Sequence, residues 1–94
     1  MDLHYSVLFD YYGDLFTEKQ KEYFTDYYFN NLTLQEIADN NNVTRNAIHK
    51  NIKDILSKLD YYEDKLNLYS NKKKIEKLIE SIDVDIKEKI KELI

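Results

Sequence analysis

The sequence contains no cysteine, no proline and no tryptophan, and it has a single glycine. The lack of cysteine excludes disulfides and cysteine-ligated metal sites. The lack of proline, together with 43% hydrophobic residues, is typical of helices joined by short turns. The sequence therefore predicts an all-α protein, and 94 residues suffice for one domain with a modest core.

Long hydrophobic runs are also missing. No stretch approaches the roughly 20 apolar residues of a membrane-spanning helix, and nothing near Met1 resembles a signal peptide, so we expect a soluble cytoplasmic protein. Glycine-rich phosphate loops and activated nucleophiles are absent, and His4 has no second ligand at metal-binding spacing. We therefore predict no enzyme activity, no metal and no cofactor, and we interpret Glu63 and Asp64 as solubilising charges.

Residues 33–59 contain two helix starts separated by a short polar turn. Thr33 and Glu36 have the spacing of a capping box, which predicts the first start. We expect this helix to end near Asp39, because the asparagines at 40–42 favour a turn. The pattern predicts a helix-turn-helix.

The second helix of this motif is predicted to begin after Thr44, a good N-cap. Its apolar residues recur at helical spacing, which predicts one buried face. They are Ala47, Ile48, Ile52, Ile55, Leu56 and Leu59. The apolar pattern continues to Tyr69 without a helix breaker, so we predict an unbroken helix from Arg45 to Leu68, roughly 35 Å long.

The opposite face of this helix is polar and basic. In a helix-turn-helix, the N-terminal part of the second helix reads base edges in the major groove of DNA. We predict contacts to duplex DNA, with Arg45, Asn46 and His49 as base readers and Thr44, Lys50 and Lys53 as phosphate contacts. The alternative is an ordinary solvated helix face.

A series of short motifs runs from Leu15 to Tyr69. They are Leu15–Gln20, Tyr27–Tyr28, Leu34–Ala38, Val43–Ile48, Asn51–Lys53 and Tyr62–Leu66. In these motifs the chain resembles the small YlxM-like proteins of Gram-positive bacteria and mollicutes, which are related to the region-four DNA-binding domain of sigma factors. The resemblance implies a helix-turn-helix of the winged-helix-like DNA-binding superfamily with a long fourth helix and a C-terminal helix. It also implies a homodimer and a regulatory or accessory role in the signal recognition particle pathway.

The chain departs from the family pattern at two positions. Where an aromatic and an acidic residue are expected, it has His49 and Lys50. The change makes the second helix of the motif more basic, which favours contact with nucleic acid.

Charge is unevenly distributed along the chain. The formal net charge is −4. Residues 1–43 contain two lysines against eight acidic residues (net −6), whereas residues 44–94 contain twelve basic against ten acidic residues (net +2). An acidic remainder repels phosphates, so we expect DNA binding to be markedly sensitive to salt.

Two further helices are predicted before the motif. The first covers Asp2 to Tyr12, with Gly13 as the C′ residue that ends it. The second begins at Thr17, again with a capping box, and runs to about Phe29. Its aromatic residues, Tyr23, Phe24, Tyr27, Tyr28 and Phe29, have two interpretations. They could stack on the bases of single-stranded RNA, but core packing is favoured because no arginine lies among them.

The tail carries one apolar seam at helical spacing, which predicts a C-terminal amphipathic helix over residues 71–94, attached to a domain over residues 1–70. We expect the seam to pack on the domain or on a dimer partner. It consists of Ile75, Ile79, Ile82, Ile86, Ile90 and Leu93.

Two functions follow from these observations. The first is a DNA-binding regulator linked to the signal recognition particle pathway. The second is a protein-interaction module that modulates the protein or the RNA of the signal recognition particle without binding DNA.

Overall fold

The computed structural model describes residues 3–94. This part of the chain contains helices and no strand, so the predicted all-α class is confirmed. The helices are α1 (Leu3–Tyr12), α2 (Glu18–Tyr28), α3 (Leu34–Asn41), α4 (Arg45–Leu66), α5 (Leu68–Leu78) and α6 (Val84–Leu93), with a 3-10 turn (Gly13–Leu15) between α1 and α2. Among the helices of residues 3–94, no candidate membrane-spanning segment is found.

Three threonines begin helices as the sequence predicted. The hydroxyl of Thr17 accepts the amide of Gln20 at 3.1 Å, and that of Thr33 accepts the amide of Glu36 at 3.1 Å. In both cases the side chain at the third helical position accepts the amide of the threonine in return, which completes a capping box. Thr44 caps α4 by accepting the amide of Ala47 at 3.1 Å.

Left-handed asparagines end two of these helices. Asn42 (φ 56°) ends α3, which is therefore two residues longer than predicted, and Asn67 (φ 53°) separates α4 from α5. The predicted unbroken helix from Arg45 to Leu68 is wrong at its last turn. Asparagine enters the left-handed region at a lower cost than most residues, so it breaks a helix without glycine or proline.

Helix α4 lies at the centre of the fold. Its buried residues Ile48 and Ile52 pack against α2 and α3, while Ile55 and Leu59 pack against α1 and α2. The first cluster contains Leu8, Tyr12, Phe16, Phe24, Ile55 and Leu59. The second contains Tyr23, Ile37, Ala38, Ile48 and Ile52. The α3–α4 pair is thus held by the second cluster.

Gly13 does not act as predicted. It has no positive φ, and it begins the 3-10 turn rather than ending α1 in a left-handed conformation. A Cβ atom at this position would lie 3.3 Å from the ring of Phe9, so the glycine provides space for that ring. The predicted start of this helix, Asp2, lies outside the residues described.

The tail forms two helices instead of one. Helix α5 ends at Leu78, and the carboxylate of Asp83 accepts the amide of Asp85 at 2.9 Å to begin α6. Because this cap begins a new helix, the predicted single C-terminal helix is interrupted between Leu78 and Val84. The division into a domain over residues 1–70 and a tail over residues 71–94 stays a prediction. The described chain is elongated, with extents of 54 × 24 × 22 Å.

Candidate nucleic-acid interface

The exposed face of α4 begins directly after the Thr44 cap. All six predicted contact residues are exposed on this part of the chain: Thr44, Arg45, Asn46, His49, Lys50 and Lys53. The Thr44 hydroxyl is engaged as the helix cap. Within residues 3–94, the side chains of the other five form no hydrogen bond or salt bridge. Their donors are therefore available to a ligand.

Helical spacing places these side chains on one surface. Arg45, His49 and Lys53 follow each other at intervals of four residues, so they form one line along the helix. Asn46 and Lys50 form a second line beside it. The surface extends over roughly 12 Å of helix at about 1.5 Å per residue. We call these five residues the α4 basic face. Their contact with DNA stays a prediction.

The charge of α4 changes sign beyond this face. Residues Arg45 to Lys53 contain three basic residues and no acid, whereas residues 54–66 contain four acids and two lysines. Asp54, Asp60 and Asp64 are all exposed. A polyanion is therefore attracted to the first half of the helix and repelled by the second half.

A groove adjoins the α4 basic face, where α2 ends and where α3 and α4 begin. It has a volume of about 560 Å³. Its lining consists of Tyr27, Tyr28, Asn31, Leu32, Thr33, Leu34 and Arg45. We call it the Tyr27 groove. Arg45 belongs both to this groove and to the α4 basic face, so the two surfaces are continuous.

The aromatic residues of α2 have divided roles. Tyr23 and Phe24 are buried, which agrees with the favoured prediction of core packing, but Tyr27 and Tyr28 are half-buried and line the groove. The sequence did not predict this groove, because the groove forms between three elements. The position of the tyrosine pair in the last turn of α2 was the only sequence signal.

A hydrogen-bonded pair fixes the junction of α4 and α5. The Tyr12 hydroxyl donates to Glu63 Oε1 at 2.5 Å. The amide of Leu68 donates to the Tyr12 hydroxyl, and the amides of Tyr69 and Ser70 donate to the Glu63 carboxylate, at 3.1 to 3.2 Å. Glu63 therefore acts as the cap of α5. Its interpretation as a solubilising charge is wrong.

This environment shifts the pKa values of both Tyr12 and Glu63. Burial raises the pKa of the Glu63 carboxyl, but the hydrogen bonds from the Tyr12 hydroxyl and from the amides of Ser70 and Tyr69 outweigh burial and lower it below 4.5. Burial, followed by the hydrogen bond to Glu63, raises the pKa of Tyr12 from 10.0 to about 12. Both shifts favour the pair with a charged Glu63 and a neutral Tyr12.

The predicted tail seam is only partly buried. Ile79 is buried, Ile75 and Ile90 are half-buried, and Ile86 and Leu93 are 54% and 85% exposed. Ile82 is also exposed, at 36%. The end of α6 lies near α1 and α5, where a cavity of about 350 Å³ is lined by residues that include Tyr11, Ile75 and Leu93.

Metal ligands are not clustered in the part of the chain that the structure describes. No group of three histidine, cysteine, aspartate or glutamate side chains there could hold a metal ion. His4 lies in an edge-to-face contact with the ring of Tyr5, at 5.1 Å between centroids.

Sequence comparisons relate the chain to known proteins. The family model described as "Putative helix-turn-helix protein, YlxM / p13 like" matches residues 2–94. A UPF0122 protein of Fusobacterium nucleatum is 51% identical over 81 residues, which cover 86% of this chain and 75% of the relative. A UPF0122 protein of Listeria innocua is 38% identical over 84 residues, or 89% of this chain and 76% of the relative.

A third relative is covered less completely. A UPF0122 protein of Malacoplasma penetrans is 54% identical over 61 residues, which are 65% of this chain and 57% of the relative. The names of these three relatives state no ligand and no partner.

Proposed function

The chain belongs to the YlxM/p13-like family of helix-turn-helix proteins, and we propose that it is a regulatory protein that binds duplex DNA through the α4 basic face. One observation carries the proposal. The first turns of the second helix of the motif hold five exposed polar residues that have no side-chain partner within residues 3–94. This is the part of a helix-turn-helix that enters the major groove.

The proposed roles follow from the chemistry of each side chain. Arg45 pairs with the O6 and N7 atoms of guanine, Asn46 pairs with adenine, and His49 donates to a base edge. Lys50 and Lys53 contact phosphates, and so does the hydroxyl of Thr44, which keeps its proton free to donate while it caps α4.

The acidic half of α4 restricts how DNA can lie on the protein. Asp54, Asp60 and Asp64 repel phosphates, so the duplex lies across the first turns of the helix rather than along its full length. Few phosphates are then neutralised, and binding at physiological salt depends on base contacts.

We further propose that the protein acts as a homodimer. Two copies related by a two-fold axis would read half-sites about 34 Å apart, one turn of DNA. The exposed seam residues Ile86 and Leu93 of α6 are available to such a partner. The same proposal includes a regulatory link to the signal recognition particle pathway, which rests on the resemblance to YlxM-like proteins.

A second candidate is the module that modulates the protein or the RNA of the signal recognition particle without binding DNA. One observation favours it. Helices α5 and α6 expose large apolar side chains, among them Leu78 at 77% and Val84 at 69%. Exposed apolar surface is typical of sites that bind another protein.

Selection from a random duplex library, at low and at physiological salt, tests the first candidate against the second. We expect enrichment of a two-fold symmetric sequence at both salt concentrations, together with a dimeric mass of the free protein. Binding without any enriched sequence, and lost as salt rises, would contradict the regulator. A pull-down with the signal recognition particle components would then test the module.

A further inference from the structure

The Tyr27 groove combines an aromatic wall with a cation. Tyr27 and Tyr28 stand edge to face, with their centroids 5.3 Å apart and their planes at 78°, and Leu32 and Leu34 complete the apolar lining. Tyr28 stacks on Phe24 at 4.5 Å, which fixes its ring against the core. The volume of about 560 Å³ is within the range of sites that bind small molecules.

The lining of the groove also contains polar side chains. Within residues 3–94, the guanidinium of Arg45 forms no salt bridge with a carboxylate. The hydroxyl of Tyr27 has no hydrogen-bond partner in the same part of the chain. Asn31 adopts a left-handed conformation (φ 57°) at the end of α2, and its side chain is exposed. An aromatic ring fits the wall, an anion fits the arginine, and an amide can pair with the edge of a base.

The position of negative charge sets the orientation of such a ligand. Glu36, which completes the capping box of α3, accepts the amide of the lining residue Thr33 at 3.1 Å, so a carboxylate lies next to the α3 part of the lining. An anionic group is therefore attracted to Arg45, which is the one charged residue among the described residues of the groove lining. A ligand with a flat ring and an anionic group at its other end matches both requirements.

We propose that the Tyr27 groove binds an unpaired nucleotide, with its base against Tyr27 and its phosphate on Arg45. Unpaired bases stack on aromatic side chains in many nucleic-acid-binding proteins. The ligand is either a free nucleotide or a nucleotide of a single-stranded segment, since both have the same chemistry. The inference does not depend on binding of duplex DNA. If both occur, a nucleotide in the groove competes with the duplex for Arg45.

The ligand is tested by titrating the full chain with AMP, adenosine and inorganic phosphate, while NMR follows the amide signals of the groove residues. We expect AMP to shift these signals and to bind more tightly than adenosine or phosphate alone. The substitution Arg45→Ala should lower the affinity for AMP without changing that for adenosine. AMP that shifts no groove signals, in a chain that also fails to bind a single-stranded oligonucleotide there, would overturn the proposal.

The stacking role is tested with three tyrosine variants and a single-stranded oligonucleotide. Tyr27→Leu removes the ring and should weaken binding by roughly tenfold, whereas Tyr27→Phe keeps the ring and the affinity. Tyr61→Leu is the matched control, because Tyr61 is 58% exposed on α4 outside the groove. Equal losses for Tyr27→Leu and Tyr61→Leu would overturn the proposal. Circular dichroism shows whether Tyr27→Leu still folds. If it does not, the affinities of Tyr27→Phe and Arg45→Ala test the proposal in its place.

Titration with a duplex of the same sequence distinguishes a failure of this proposal from a failure of the proposed function. We expect Tyr27→Leu to leave duplex affinity unchanged, whereas Lys53→Ala should lower duplex affinity and leave AMP affinity unchanged. Tighter binding of the oligonucleotide than of AMP would identify a single-stranded segment as the source, and the reverse would identify a free nucleotide. Equal losses of duplex and single-strand affinity in Tyr27→Leu would overturn the proposal that the Tyr27 groove is a separate binding site.

Discussion

Arg45 is the residue at which the two proposed ligand surfaces meet. It is the first residue of α4, it is exposed, and it lines the Tyr27 groove. An arginine offers five donors in a planar arrangement, which suits either the two acceptors of guanine or a phosphate. Its loss should therefore affect the choice of ligand more than the strength of general electrostatic attraction.

The substitutions Arg45→Ala and Lys53→Ala separate base reading from phosphate contact. If Arg45 makes a bidentate contact with guanine, its loss should cost about 1 to 3 kcal/mol for the selected sequence and relax discrimination at one base pair. Lys53→Ala should weaken all duplexes alike and reduce the dependence of affinity on salt. Titrations of the selected and scrambled duplexes at several salt concentrations measure both effects. Small, equal losses for both variants would rule out base reading by Arg45.

The Glu63 carboxylate gives folding a predictable dependence on pH. Because folding lowers the pKa of Glu63 below 4.5, its stabilisation is fully present above that pH and is lost as the pH falls through the folded pKa. Glu63→Gln should lower the free energy of unfolding at neutral pH by about 1 to 3 kcal/mol. The difference from the wild type should shrink as the solution becomes acidic.

Urea unfolding at a series of pH values measures this difference. The substitution Asp64→Asn is the control, because Asp64 is an exposed neighbour whose carboxylate lies 3.8 Å from Lys65. It should leave the free energy of unfolding nearly unchanged. A Glu63→Gln effect that stays constant down to the acid limit would exclude this account of the junction.

At the scale of the element, the break between α4 and α5 depends on the backbone of Asn67. The substitution Asn67→Gly keeps the left-handed conformation accessible, whereas Asn67→Ala makes it costly by about 1 to 2 kcal/mol. We expect Asn67→Ala to lower the free energy of unfolding relative to Asn67→Gly by that amount. Chemical denaturation of both variants measures it, and equal stability would mean that the backbone of residue 67 carries no such cost.

The same junction shows which elements a sequence can predict. Thr17, Thr33 and Thr44 begin helices through bonds to residues three positions later, so their motifs are visible in the sequence. Asn67 ends α4 beside the contact between Tyr12 and Glu63. Tyr12 lies 55 residues before Asn67 in the chain. The apolar pattern is continuous across this position, and only the tertiary contacts distinguish a bent helix from a straight one.

The candidate site was predictable to a different extent in its two parts. The α4 basic face lies within a single helix, so spacing alone placed its five residues on one surface. The Tyr27 groove needs α2, α3 and α4 in their folded arrangement, and Arg45 reaches it from a position 18 residues after Tyr27. The sequence shows the two tyrosines, but only the folded arrangement shows that they line a groove.

At the scale of the molecule, charge is unevenly distributed along the chain. Residues 1–43 have a net charge of −6 and residues 44–94 a net charge of +2. The described chain extends over 54 Å. Helix α2 has three acidic residues and two lysines, and both lysines form salt bridges with carboxylates, Lys19 with Glu22 and Lys21 with Asp14 and Glu18. It therefore contributes little attraction to DNA. A dimer would double the α4 basic face without changing its chemistry.

The tail seam allows the dimer proposal to be tested on one helix. Ile86 and Leu93 lie seven residues apart and share a side of α6, whereas Val84 lies on the other side, about 200° from Ile86. Ile86 and Val84 are 54% and 69% exposed, so a lysine at either position remains solvated in one copy of the chain. In a dimer that packs through the seam, a lysine at position 86 would lose its water and a lysine at position 84 would keep it.

We therefore expect Ile86→Lys to weaken dimerisation by tenfold or more, about 1.4 kcal/mol, while Val84→Lys leaves it unchanged. Sedimentation over a range of protein concentrations measures this. Since a symmetric DNA site gains affinity from two linked half-sites, Ile86→Lys should also bind a full site little better than a half-site. A wild-type chain that sediments as a monomer at all concentrations, or equal effects of the two lysines, would mean that the seam serves no second copy of the chain.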